Sequence, residues 1–295
     1  MYRRTFLEIG TTTVIGALST ASWSDMFLLD KKLSNVGLQL YTVREDMKSN
    51  PSGTLKKIAE IGYSHVECAG YYNGNFYGKS KAEFKAMLDK YELKMWSGHT
   101  NTGFGKPEGT YSMSNNWESV CEDAVFMGQK YIGCGYFEVG ERKSIDDYKR
   151  HAALFNKCAE TANQYGLTFF HHNHDFEFLP IDGTVPYDIL LNETDKSLVR
   201  FELDHYWTKK ANVDSVQLMN KHNGRFPLWH IKDMADTTER SFTEVGTGII
   251  NYKSIFTSNP KKYMDLYYIE QDSNHKGSAL QSIEISFKNL KKIKV

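Results

Sequence analysis

Four polar residues of metal-binding type stand close behind four short apolar segments in the second half of the chain. They are His172, Asp204, His230 and Glu270. Imidazole and carboxylate groups are common ligands of divalent metal ions. The spacing between neighbours is about that of one strand, a crossover helix and the next strand. The pattern therefore predicts a metal site at one end of a barrel of parallel strands.

The first of these residues lies in the segment richest in ionisable groups, which runs from His171 to Glu177. Side chains alternate along a strand, so His172 and His174 share one face while His171 and Asn173 take the other. A single histidine in such a place is more often a structural residue than a ligand. Three histidines with acidic groups, at the carboxyl end of a strand, favour a functional site.

The other three positions carry further candidate groups. Asp204 shares its face with Glu202, and this pair is also compatible with a solvated surface, but the terminal position favours Asp204 as the ligand. His230 and Lys232 share a face, so one can bind metal while the other stabilises an oxyanion; Lys232 is equally compatible with a surface charge. Glu270 ends an apolar run, where a buried charge needs a metal or a cationic partner.

The rest of the chain supplies the elements that would position these groups. Short apolar runs rich in Val, Ile, Tyr and Phe alternate with amphipathic helical patterns. Eight runs begin near Val36, Tyr63, Leu93, Tyr131, Leu167, Leu198, Phe226 and Leu266, and the helical patterns include Thr54–Ile61, Lys81–Tyr91, Asn116–Gly128, Ile145–Tyr165 and Asp214–Lys221. An open, doubly wound sheet shows the same alternation but usually has fewer units. The pattern favours an α/β fold, a (β/α)8 TIM barrel.

Length and charge agree with a single barrel that has no charged partner. The chain has 295 residues, and we assign residues 33–295 to one barrel domain. Lys plus Arg and Asp plus Glu both total 36, so no net charge favours nucleic acid or an anionic membrane. The abundant aromatic residues serve core packing, and those near strand ends, such as Trp96, Tyr136 and Trp207, are also candidates for lining a carbohydrate site.

Residues 1–22 fit no barrel element and resemble an export signal peptide. Arg3 and Arg4 precede a weakly apolar run from Ile9 to Leu18, which is followed by small residues suitable for cleavage. The paired arginines are similar to a twin-arginine signal, whose route carries folded, cofactor-loaded proteins. We therefore expect a periplasmic protein with no stable membrane anchor after signal cleavage. A mobile arm on a cytoplasmic protein is the alternative.

The motifs taken together resemble a known family. In chain order they are Val36 to Tyr41, Val66-Glu67, His172 to Phe178, Leu203 to Trp207, His230 to Asp233, Val245 to Gly248 and Ile269 to Asp272. This series resembles the sugar phosphate isomerase/epimerase family of xylose isomerase-like barrels and covers nearly everything after the signal. The resemblance implies one divalent metal ion, Mn, Mg, Co or Zn, bound here through His172, Asp204, His230 and Glu270.

The resemblance also implies a type of reaction. In the ketose epimerases of the family, a Glu at the fifth strand and the Glu at the eighth act as acid and base on opposite faces of the sugar. This chain has His172 at the fifth strand, so the second proton carrier would be His172, His174 or Glu177. Glu270 would be the base, and Lys232 would stabilise the enediolate that forms on proton removal.

The fate of that enediolate separates the functional alternatives. Reprotonation defines a metal-dependent sugar isomerase/epimerase, whereas expulsion of a β leaving group defines a lyase that acts on 3-oxo-glycosides, as in related barrels of exporting bacteria. A non-catalytic periplasmic sugar-binding protein and a three-zinc DNA-repair endonuclease are further alternatives; zero net charge and export oppose the endonuclease. We expect a carbohydrate substrate and no nucleic acid partner, and a homo-oligomer is allowed. Glu67 and His99 are expected to be substrate contacts or barrel-mouth structure, and Asn173 and Trp207 to be substrate contacts.

Overall fold

The architecture is a closed barrel of eight parallel strands, as the sequence predicts. The computed structural model describes residue 33 and residues 35–294. The barrel strands are β1 (Gly37–Gln39), β2 (His65–Cys68), β3 (Lys94–Thr100), β4 (Tyr131–Cys134), β5 (Thr168–His172), β6 (Val199–Asp204), β7 (Leu228–Ile231) and β8 (Leu266–Ile269). Each strand pairs with the next, and β8 closes the barrel against β1, with Tyr268 opposite Gly37. All eight predicted strands are confirmed.

Helices connect the strands and cover the outside of the barrel. The described α-helices are α1 (Arg44–Ser49), α2 (Pro51–Ile61), α3 (Lys81–Lys90), α4 (Trp117–Met127), α5 (Ile145–Gln164), α6 (Pro186–Glu193), α7 (His205–Lys210), α8 (Ser215–Lys221), α9 (Tyr252–Thr257) and α10 (Ala279–Leu290). The five predicted helical segments correspond to α2, α3, α4, α5 and α8, with small differences at the ends. Ser80, Ser144 and Ser278 begin α3, α5 and α10 with capping boxes, which satisfy N–H groups of the first turn.

The interior of the barrel changes from apolar to polar toward the carboxyl ends of the strands. A buried cluster fills the interior at the other end and contains Phe170, Leu228, Leu266 and Tyr268. Two residues further along β5, β7 and β8, and therefore on the same inward face, come His172, His230 and Glu270. The apolar layer fills the barrel on one side of these polar groups. The groups themselves lie at the carboxyl ends of the strands, where TIM barrels carry their functional sites.

The loop after β7 is fixed at the mouth of the barrel by one buried carboxylate. Asp233 accepts hydrogen bonds from the backbone N–H groups of Gly246, Gly248 and Ile250. These bonds tie the two ends of a long surface loop together. Lys232, the residue before Asp233, is thereby held in a defined position beside the interior polar groups.

The predicted signal peptide, residues 1–22, lies outside the described residues. No helix in the described part of the chain is long and apolar enough to span a bilayer. The barrel strands run from Gly37 to Ile269, and the last helix ends at Leu290. The assignment of residues 33–295 to one domain, with a cleaved signal before it, stays a prediction.

Candidate metal centre

The four predicted ligands come together at the carboxyl end of the barrel. One nitrogen or oxygen from each of His172, Asp204, His230 and Glu270 lies within 4.8 Å of the others. His230 Nδ1 lies 2.7 Å from Glu270 Oε2 and 3.9 Å from Asp204 Oδ2. His172 Nε2 lies 4.0 Å from the same Asp204 oxygen. Residues far apart in the sequence form one buried cluster because each follows its own strand to the same rim.

The donor atoms of this cluster fit a divalent metal ion. Asp204 Oδ2, His230 Nδ1 and Glu270 Oε2 are buried; within the described residues they contact one another and Lys232 as ion pairs, but they make no hydrogen bond of good geometry. Buried polar atoms normally make such a bond. The second oxygen of Asp204 accepts from the N–H groups of Tyr206 and Trp207 at the start of α7, which fixes the direction of the carboxylate. Two imidazoles and two carboxylates are ligands typical of zinc, cobalt and manganese.

Lys232 places a positive charge beside these carboxylates. Its Nζ lies 2.8 Å from Glu270 Oε2, 3.1 Å from Asp204 Oδ2 and 2.9 Å from Asp272 Oδ1. Burial opposes the ammonium charge, but the three carboxylates outweigh it and raise the pKa of Lys232 well above its ordinary value. Because the side chain is almost completely buried, the alternative that Lys232 is a surface charge is wrong. A fixed ammonium group of this kind can stabilise a developing oxyanion.

The protonation of the cluster is compatible with metal binding. Burial lowers the pKa of His172 well below its ordinary value, and His230 adds to this effect, so the ring of His172 is neutral. Burial opposes ionisation of Glu270, but Lys232 and His230 outweigh it and lower its pKa to about 2. Burial also opposes a charge on His230, yet Glu202 and Glu270 raise its pKa well above the ordinary value. An ion bound at His230 Nδ1 would therefore displace a proton.

A large cavity opens above the cluster. His172, Lys232 and Glu270 line a space of about 810 Å³, within the range of roughly 300–1,000 Å³ that is usual for small-molecule sites. His174 and Trp207 also line it, with ring centroids 5.2 Å apart. The ring centroids of His172 and His174 are 4.9 Å apart, and both rings line this cavity.

The aromatic residues proposed for carbohydrate binding divide into two groups. Tyr136 and Trp207 line the cavity. Trp96 does not, because it packs against the apolar layer at the opposite end of the barrel, with its ring 4.8 Å from that of His65. The prediction for Trp96 is wrong, since its inward position lies at the beginning of β3 rather than at its end.

Glu67 and His99 form a polar layer directly beneath the cluster. His99 lines the cavity, and its Nε2 lies 3.1 Å from Glu67 Oε1 and 2.9 Å from Glu202 Oε2. Glu67 is completely buried and lies outside the cavity lining; it accepts hydrogen bonds from Gln39 Nε2 and His230 Nε2, both at 2.7 Å. Of the two roles predicted for Glu67, substrate contact is corrected to a structural role, while His99 remains a candidate for substrate contact.

Asn173 and Glu177 also turn away from the cavity. Asn173 is completely buried and its Oδ1 accepts from the backbone N–H of Asp204. The carboxylate of Glu177 lies 3.2 Å from His171 Nε2 and accepts from the N–H of His174 at 2.7 Å. Neither side chain lines the cavity, so the predictions of a substrate contact for Asn173 and of a proton carrier for Glu177 are corrected. Asn173 instead ties the loop after β5 to β6, and Glu177 ties this loop back to β5.

Comparison with known proteins agrees with this geometry. A family model described as a xylose isomerase-like TIM barrel matches residues 55–286, which is more than half of the chain. The chain belongs to this family. Among the curated proteins no match was found. Xylose isomerase-like barrels place their functional groups at the carboxyl ends of the strands, as TIM barrels do generally, and the cluster described above lies at that end.

Several solved structures are similar to the chain. A sugar phosphate isomerase/epimerase from Parabacteroides distasonis is 26% identical, with a TM-score of 0.75 over 87% of this chain and 97% of that chain. A second protein of the same description and organism is 24% identical, with a TM-score of 0.71 over 90% of this chain and 97% of that chain. The IolI protein, solved with a bound zinc atom, is 14% identical, with a TM-score of 0.65 over 86% of this chain and 96% of that chain. The last two likenesses show the fold alone.

Two residues near the xylose isomerase-like site were given no role from the sequence. Asp272 forms an ion pair with Lys232 and lines the cavity. Glu202 Oε2 lies 3.3 Å from His172 Nδ1 and 3.1 Å from His230 Nε2. Both stand two residues from a predicted ligand, Asp272 after Glu270 and Glu202 before Asp204. Strand alternation puts such residues on the same face. That signal was sufficient to include both of them in the site.

We expect that Glu177→Gln lowers stability and leaves the chemistry intact. Gln keeps the size of the side chain but loses the charge that holds His171 and the N–H of His174, which costs about 1–3 kcal/mol for buried bonds to a charged group. Urea unfolding measures this loss, with Glu193→Gln at the exposed end of α6 as a neutral control. A variant that is fully stable and inactive would restore Glu177 as a proton carrier.

Proposed function

We propose that this protein is a divalent-metal-dependent sugar isomerase or epimerase that removes a proton next to a carbonyl group. The observation that carries the proposal is the convergence of Glu270 and Lys232 with three further ligand groups at the base of one cavity. A base, a fixed cation and a metal ligand set in a space of this size are the parts that such a proton transfer requires. The resemblance to sugar phosphate isomerase/epimerases supports a carbohydrate substrate.

Each group has a defined task in the proposed reaction. When bound, a divalent ion polarises the sugar carbonyl and makes the neighbouring C–H more acidic. Glu270 takes the proton, since its low pKa keeps it ionised and the cavity gives access to it. Lys232 stabilises the negative charge that then develops on oxygen. His174 lines the same cavity and is the second proton carrier; because burial lowers its pKa and keeps the resting ring neutral, it takes a proton from solvent and passes it to the enediolate.

A lyase acting on 3-oxo-glycosides is the second candidate, and one feature favours it. A two-carboxylate epimerase has a second Glu at the fifth strand, where this chain has His172. The two faces of the sugar would therefore not each have a carboxylate to exchange protons. In the lyase, Glu270 removes the proton and the enediolate expels the group on the β carbon instead of accepting a new proton. The cavity of about 810 Å³ has room for a sugar that carries such a leaving group.

Solvent proton exchange tests the proposal and separates the two candidates. The purified protein, loaded with Mn, Co or Zn, is incubated in D₂O with a panel of ketoses and 3-oxo-glycosides, and products are analysed by mass spectrometry and NMR. We expect deuterium at the carbon next to the carbonyl of at least one compound. Release of the free leaving group identifies the lyase. Binding of a sugar with no exchange and no release would contradict both candidates and favour a non-catalytic sugar-binding protein.

Trp207 is expected to contribute a hydrogen bond to the substrate. Its Nε1 is buried and no hydrogen bond from the described residues reaches it, although the ring lines the cavity. Trp207→Phe keeps an aromatic surface and removes the donor. We expect KM to rise roughly fivefold with a smaller change in kcat, because one hydrogen bond contributes about 1 kcal/mol. Steady-state kinetics test this, with Trp96→Phe at the opposite end of the barrel as the matched control. An unchanged KM would remove Trp207 from substrate binding.

A further inference from the structure

Each of the two imidazoles in the cluster contacts a carboxylate through the ring nitrogen that points away from Asp204. Nδ1 of His230 faces Asp204 and Glu270, while its Nε2 points the other way, 2.7 Å from Glu67 Oε1 and 3.1 Å from Glu202 Oε2. His172 is oriented in the same sense. Its Nε2 faces Asp204, and its Nδ1 lies 3.3 Å from Glu202 Oε2.

The same two imidazoles therefore belong to two adjoining groups of potential ligands. The upper group is His172, Asp204, His230 and Glu270, and the lower group is His99, His172, Glu202 and His230. A neutral imidazole has one nitrogen with a free lone pair and one that carries a proton. Each ring, when neutral, presents its lone pair to one of the two groups and directs its N–H bond toward the other.

Burial and hydrogen bonding decide which group takes the ion. Asp204 is as deeply buried as Glu67 and Glu202, and none of the three lines the cavity, but Glu270 of the upper group does. Glu67 already accepts from Gln39 and Ser97. In the lower group, Glu202 Oε1 accepts no hydrogen bond from the described residues, but its Oε2 lies 2.9, 3.3 and 3.1 Å from nitrogens of His99, His172 and His230. In the upper group, Asp204 Oδ2 and Glu270 Oε2 pair with Lys232 but accept no hydrogen bond of good geometry from the described residues. The lower carboxylates are therefore suited to accept N–H protons, and the upper oxygens to bind an ion.

We propose that Glu67 and Glu202 are positioning residues that fix both imidazoles with their lone pairs upward, and that the resulting site selects zinc or cobalt over magnesium. A carboxylate that accepts the second N–H of a ligating histidine sets its tautomer and makes it a stronger ligand. Two such nitrogens suit zinc and cobalt, whereas magnesium prefers an octahedral set of oxygens and keeps its waters. The proposal rests on the proposed function for the reaction that the ion would serve. Its test does not, because the test measures metal binding alone.

Metal titration of the purified full-length chain, freed of metal by chelation, tests the proposal without a substrate. We expect one zinc or cobalt ion per chain, and affinity for zinc at least roughly 10³-fold higher than for magnesium, given the two nitrogen ligands. Competition with a chromophoric chelator gives the affinities. The absorption spectrum of bound cobalt reports the coordination number and the ligand field, which change when a nitrogen ligand is weakened.

The variants isolate the buried carboxylates. Glu202→Gln is expected to lower zinc affinity by about 10- to 100-fold, the usual effect of losing an outer partner of a histidine ligand, and to shift the cobalt spectrum. Glu202→Asp should recover part of the loss. Glu244→Gln is the matched control, because Glu244 is also a buried acid but accepts a hydrogen bond from Ser282 instead of contacting a histidine of the cluster. It should change neither the zinc affinity nor the cobalt spectrum. If Glu202→Gln does not fold, Glu67→Gln makes the same test through His230.

Three results would overturn the proposal. The first is two ions per chain, which would make the lower group a metal site itself. The second is magnesium binding as tight as zinc binding. The third is an unchanged zinc affinity and cobalt spectrum in a folded Glu202→Gln variant. The proposed function fails in a different experiment. Zinc binding with the expected selectivity and variant effects, together with no proton exchange on any sugar, would support the positioning role while contradicting the isomerase and lyase proposals.

Discussion

Glu270→Gln is expected to lower the rate of solvent proton exchange into substrate by at least roughly 10³-fold, the upper part of the range for loss of a general base. Gln has the same shape but cannot take a proton from carbon. The fold should be largely retained, because Lys232 keeps its ion pairs with Asp204 and Asp272. Exchange is measured at saturating metal, with bound metal determined on the same sample, so that loss of the base is separated from loss of the ion.

The matched control for this prediction is Glu60→Gln. Glu60 is more than half exposed on α2 and makes only a surface ion pair with Lys56, so its replacement should change neither exchange nor melting temperature by a measurable amount. If Glu270→Gln exchanges protons at the rate of the unmodified protein, Glu270 is not the base, and the proposed mechanism is wrong.

Lys232→Met is expected to give the largest loss of stability among single changes at the site. Removal of the ammonium leaves Asp204, Glu270 and Asp272 buried together without their shared cation. Breaking a buried charge pair costs about 3–5 kcal/mol, which corresponds to a fall in Tm of roughly 10 °C in a chain of this size. Exchange should also fall by about 10²-fold or more, since a donor to the developing oxyanion is lost.

Metal dependence makes this prediction specific to the cluster. A divalent ion compensates the carboxylates that Lys232 no longer neutralises, so added zinc should raise the Tm of Lys232→Met by more than that of the unmodified protein. Thermal unfolding with and without zinc measures both values. Lys288→Met, in an exposed pair with Glu284 on α10, should lower Tm little and change the zinc effect not at all. An equal zinc effect in Lys232→Met and the unmodified protein would place the ion away from Lys232.

The positions of the ligands were predictable because they depend on strand geometry. Parallel strands of a barrel end at one rim, and alternation fixes which residues point inward. Those two rules bring His172, His230 and Glu270 together and put Lys232 beside them. The same rules hold for Trp96, but it stands at the start of its strand, so a residue on the correct face lies at the wrong end of the barrel.

The roles of Glu67, Asn173 and Glu177 were not predictable from strand alternation. Glu177 lies in a short 3₁₀ helix, Phe176–Phe178, where side chains no longer alternate, and it turns back toward His171. Asn173 follows the last residue of β5. Glu67 is inward-facing, but its partner is a histidine 163 residues away in the sequence. That pairing depends on how deep each residue lies in the barrel, which the sequence pattern does not specify.

The convergence of two imidazoles and two carboxylates on one cation is tested most directly by diffraction from crystals soaked in zinc, with data collected at the zinc absorption edge. We expect a single anomalous peak at the mouth of the barrel, about 2.0–2.2 Å from one nitrogen or oxygen of each of His172, Asp204, His230 and Glu270. Side chains that point apart with no peak between them, or a peak bound by other residues, would contradict the proposed site and the chemistry that depends on it.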